Sequence, residues 1–157
     1  MNLIIDGKRK FAMMFLTAFL VFGVNISRAE AAEVLVNNTL DNPVSLAFCY
    51  TDRSTGLWTT AGWYTVEGNT TMKIIIYNVD PKPVFYYAAR NGNLTYVDKG
   101  SIQKTTTAWV VDDIFKFEGE GKPKTKQKNL RVIRFYGAKK SNSGDGYSIR
   151  IDTRPVG

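Results

Sequence analysis

Val44-Ser45-Leu46-Ala47-Phe48-Cys49-Tyr50 alternates large apolar residues with small ones. In an extended strand, successive side chains point to opposite faces, so Val44, Leu46, Phe48 and Tyr50 share one face. Cys49 alternates with Phe48 and Tyr50, which places it toward a second packed layer. Tyr147, Ile149 and Ile151 alternate with Ser148, Arg150 and Asp152, the pattern of a half-buried strand. Further strand candidates are residues 33–38, 57–66, 71–77, 84–90, 94–97, 106–111, 114–117 and 130–136. Between them lie turn clusters such as Asp41-Asn42-Pro43, Asp80-Pro81-Lys82-Pro83 and Asn91-Gly92-Asn93. No window after residue 31 shows a helical stripe of useful length. The expected fold is therefore all-β, a single antiparallel β-sandwich or small barrel of roughly 8–10 short strands.

Residues 1–31 have a different character. Lys8-Arg9-Lys10 flanks an apolar run from Phe11 to Val24, and Ala29-Glu30-Ala31 offers small residues around a cleavage point. The run is short against the roughly 20 residues a membrane-spanning helix needs. This is the pattern of an N-terminal signal helix, cut after Ala31. The expected organisation is a cleaved signal peptide (1–31) and one β-domain (32–157). It implies export to the periplasm or the medium, with membrane attachment only through an uncleaved leader.

Absences narrow the chemistry. The chain has no histidine and one cysteine, Cys49. This removes the commonest general base and metal ligand, every Ser-His or Cys-His nucleophile, and any intrachain disulfide. No cofactor or metal is implied. The leader holds four of the 21 basic and two of the 14 acidic residues, leaving 17 against 12, a net charge of +5. Such an excess favours anionic partners without naming one. No nucleic-acid motif is present, and none is expected of an exported protein.

Asn38-Thr39, Val44, Ala47, Tyr50, Trp58, Gly62-Trp63-Tyr64, Val66 and Gly68 together resemble the bacterial family called domain of unknown function 1036. Phe85-Tyr86-Tyr87-Ala88 is similar to that family's aromatic-rich strand. The resemblance implies a small exported β-domain with no activity to transfer. The family's cysteines are replaced here by Thr70 and the Trp109-Val110-Val111 run, so disulfide bracing is not implied.

Two groups of residues are candidates for binding. Lys122, Lys124, Lys126 and Lys128 recur at every second position with Arg131 beyond them, a candidate anion-binding edge if the segment is extended. Trp58, Trp63 and Tyr86 form a candidate aromatic surface. Trp58 and Trp63 face opposite ways in a regular strand unless a bulge near Ala61-Gly62 re-phases them. Asp98, Asp112, Asp113 and Asp145 are the carboxylates open to a hydrolase, although neighbours such as Asp112-Asp113 diverge in extended chain and suit a turn. The expected function is a non-enzymatic binding or interaction module at the cell envelope. Its partner would be a protein, an anionic envelope polymer or lipid headgroups. The alternative is a carboxylate-dependent hydrolase acting on envelope glycans.

Overall fold

The computed structural model describes residues 31–142 and 146–152, with the backbone of Pro155 and Val156. The expected leader, apart from Ala31, and the candidate Asp145 lie outside the described residues. Within them the protein is all-β, with no helix. Its strands are β1 (Ala31–Asn38), β2 (Val44–Thr51), β3 (Trp58–Val66), β4 (Thr70–Tyr77), β5 (Tyr86–Asn91), β6 (Leu94–Tyr96), β7 (Ile102–Val110), β8 (Phe115–Glu118), β9 (Arg131–Gly137), β10 (Lys139–Lys140), β11 (Tyr147–Ile151) and β12 (Pro155–Val156).

A four-stranded sheet runs β10-β11-β1-β4, and a larger one runs β12-β6-β5-β2-β3-β8. β9 joins the second sheet at β5, and β7 joins at β9. The run β8-β3-β2-β5-β9-β7 is antiparallel and curls into a half-barrel whose outer strands, β7 and β8, each pair with one strand among the described residues.

One pairing departs from the expected antiparallel pattern. β1 and β11 run parallel, with Val36 opposite Ile149. Periodicity reports which face a side chain takes and carries no information on chain direction. Parallel neighbours need a long crossover, and here most of the domain separates the two strands.

The sheets bury two cores. The first lies between them: Val34, Val36, Ile74, Ile76, Ile149 and Ile151 face Leu46, Phe48, Tyr87 and Ala89. Phe85 stacks on Tyr147 across this layer, with ring centroids 4.4 Å apart. The second core fills the half-barrel and holds Ala47, Cys49, Trp63, Ala88, Val110, Val111 and Phe135. β2 is thus covered on both faces, as its alternation predicts, and Cys49 is fully buried against the second layer.

Candidate functional site

β3 carries a bulge that decides where its tryptophans go. Leu46 pairs with Tyr64, but Ala47 pairs with Gly62, leaving Trp63 as the extra residue. A bulge inverts the inside-outside alternation beyond it. Trp63 therefore joins Trp58 on the concave face, while Tyr64 and Val66 turn to the other core. The expected three-residue aromatic surface is corrected here. Trp63 is buried, and its indole nitrogen donates to the Val111 carbonyl at 2.7 Å, so it serves the core.

Trp58 and Tyr86 do come together. Their rings meet edge-on at 5.8 Å between centroids. They line a groove of about 460 Å³ at the open side of the half-barrel, between β7 and β8. Its floor is one register row: Phe117 on β8 opposes Thr60 on β3, Thr60 opposes Cys49 on β2, and Cys49 opposes Tyr86 on β5. Trp109 and the hydroxyl-bearing Thr106 and Thr107 come from β7. The Gly119-Glu120-Gly121 turn forms the remaining rim. Gly119 makes this turn: at φ 89° it occupies a region costly for other residues, while its N–H still donates to the Trp58 carbonyl at 2.7 Å.

The lysine segment leaves from that rim. Lys122 places its ammonium 5.7 Å from the centre of the ring of Trp109, a residue lining the groove, and this cation–π contact ties the lysine segment to the groove's rim. Exposure alternates as extended chain requires: Lys122, Lys124 and Lys126 are exposed while Pro123 and Thr125 are half-buried. The alternation ends at Gln127, which is exposed, as is Lys128. None of the four lysines forms an ion pair among the described residues.

Arg131 does not belong with them. Its Nη1 donates to Asp112 Oδ1 at 2.7 Å, in a separate cleft. Asn129, at φ 61°, turns the chain back into β9 and donates its amide to the other carboxylate oxygen at 2.7 Å. The hydrogen bond from Arg131, followed by that from Asn129, holds the Asp112 carboxyl below its ordinary range.

Asp98 is also occupied structurally. It accepts from the backbone N–H of Gly100 at 2.6 Å and of Arg150 at 2.7 Å, fixing the β6–β7 turn against β11. Asp112 and Asp98 line different clefts, and Asp113 lines neither of these nor the aromatic groove. Among the described residues, no group of three or more acidic or cysteine side chains gathers where a metal could sit.

Trp109 was not singled out in the sequence as a site residue. The alternation of Ala108, Trp109 and Val110 marks it as facing away from the core, and β7 carries it to the edge of the groove that Trp58 and Tyr86 line. Scanned against protein-family models, curated proteins and solved structures, the chain matches none.

Proposed function

We propose that this protein is an exported, non-enzymatic binding module on a β-sandwich scaffold, and that its ligand is an acidic glycan of the cell envelope. One observation carries the proposal: the aromatic groove and the lysine segment meet at the Lys122–Trp109 contact. Sugar rings present apolar faces that stack on aromatic side chains, for which Trp58, Tyr86, Trp109 and Phe117 provide surface. The half-buried Thr106 at the groove suits a ring hydroxyl. Lys122, Lys124, Lys126 and Lys128 would then meet the acid groups of a chain leaving the groove.

Such exposed charges are screened over about 8 Å at physiological salt, so binding should weaken steeply as salt rises. The test is a titration with an oligogalacturonate and with a neutral oligosaccharide of the same length. Replacing all four lysines with glutamine should lower acidic binding toward the neutral level. Equal binding of both oligosaccharides by the parent protein would refute the proposal.

Export and kinship belong to the same proposal. Processing after Ala31 would give a mature chain beginning at Ala32, which intact mass of envelope-derived protein would read. Kinship with the domain of unknown function 1036 family rests on Asn38-Thr39, a buried corner, and Gly62-Trp63-Tyr64, the bulge. The alternative, a carboxylate-dependent hydrolase, needs two carboxyls about 5–9.5 Å apart across one substrate. Among the described residues, the aromatic groove offers it Glu120 alone.

A further inference from the structure

β5 uses one edge twice. Tyr86 and Tyr87 pair with β9, whereas Ala89, Arg90 and Asn91 pair with β6. A cleft of about 560 Å³ opens where β9 and β6 part, and Arg90, Asp112, Arg131 and Arg134 line it with Asn93 and Thr95. That volume suits a small molecule.

Three of these groups are fixed by their neighbours. The Arg90 guanidinium lies over the Trp63 ring, 3.9 Å from its centre, and reaches Asp112 Oδ1 at 3.4 Å. Arg131 donates to the same oxygen, and also to the Asn129 carbonyl at 3.1 Å. Burial, and after it the nearby charge of Arg131, holds the Arg90 guanidinium below its ordinary pKa. Arg134 forms no ion pair among the described residues. Three arginines and one carboxylate thus line the cleft, an excess of two positive charges.

We infer that this cleft is an oxyanion site for a small ligand carrying a phosphate group, with Arg90, Arg131 and Arg134 as anchors. Planar guanidinium forks match phosphate oxygens, and a phosphate dianion balances the excess charge where a carboxylate would leave half of it. Asp112 is the internal counter-ion that pre-positions Arg90 and Arg131. Confined, pre-positioned cations bind more strongly than the solvated lysines of the loop, because less side-chain freedom is lost on binding.

The test uses inorganic phosphate, followed by the indole N–H resonances of the three tryptophans. Binding should saturate, moving the Trp63 signal and leaving those of Trp58 and Trp109 in place. Arg134→Gln touches no structural pair and should weaken binding about tenfold, the loss of one charged hydrogen-bonding partner. A sugar monophosphate should bind at least as well as inorganic phosphate, since the cleft has room for its ring. Replacing the four lysines should change nothing. Absence of saturation, exclusion of the ester, or loss of binding with the lysines in place of Arg134 would each overturn the site.

Discussion

The rings of Trp58 and Tyr86 touch edge-on although their strands, β3 and β5, are not neighbours. β2 lies between them and contributes Cys49 to the intervening row. A small residue at that position lets the flanking rings close over the floor of the groove. The Cys49 thiol sits 3.4 Å from the Thr60 hydroxyl and is fully buried. Its role is to be narrow and inert.

Burial pushes the Cys49 thiol from 9.0 up to about 12, the Thr60 hydroxyl opposing only weakly. Native protein at pH 8 should therefore label slowly with a thiol reagent, and denatured protein quickly. Labelling at equal rates would contradict the burial.

Burial also raises Tyr50 and Tyr87 from 10.0 to about 12. All three groups ionise more easily in the unfolded chain than in the folded one. Their stabilisation is complete below pH 9 and lost as pH climbs from 9 toward 12. Denaturation midpoints should be level below pH 9 and then fall, and Cys49→Ala should delay the onset to about pH 10, the ordinary range of tyrosine. A midpoint that rises through this window would contradict the assignment.

Gly62→Ala tests the bulge. A Cβ at Gly62 would lie 2.6 Å from the Ala47 Cβ and 3.0 Å from its Cα, so backbone would have to move. We expect a loss of about 1–3 kcal/mol, the usual cost of overpacking, with weakening of the Trp63–Val111 hydrogen bond. An unchanged midpoint in urea would show that the strands pair without the close approach.

Asn38 is fully buried at the end of β1. Its amide nitrogen lies within 3.1 Å of the carbonyls of Asn42, Val66 and Glu67, and its oxygen accepts from the Leu40 N–H. Asn38→Ala should cost about 1–3 kcal/mol, because those buried backbone groups lose their partner. Asn38→Asp should also destabilise, since a carboxylate cannot donate to the carbonyls. Wild-type stability in either variant would remove the corner from the account.

How far the sequence could be read follows from these residues. The alternation from Val44 to Tyr50 reports a strand covered on both faces, because inside and outside are set by a period of two. Tyr147 to Ile151 reports its buried face for the same reason, but not its parallel alignment with β1. For Trp58 and Trp63 the alternatives were visible, and the bulge that chooses between them depends on the close approach of Gly62 to Ala47. The lysines were legible as an exposed, partly alternating segment. Arg131 follows the lysines in sequence, but its partner Asp112 comes from the distant β7–β8 connection. The place of Trp109 on the groove and the cleft between β6 and β9 depend on which strands pair, which periodicity does not report.

The most direct measurement of the central claim is an oligogalacturonate titration observed at the three indole N–H signals. The account predicts that Trp58 and Trp109 shift together and saturate, while Trp63, bonded to Val111 inside the core, stays in place. Shifts confined to Trp63, or none while the oligosaccharide still binds, would place the ligand elsewhere and contradict the groove.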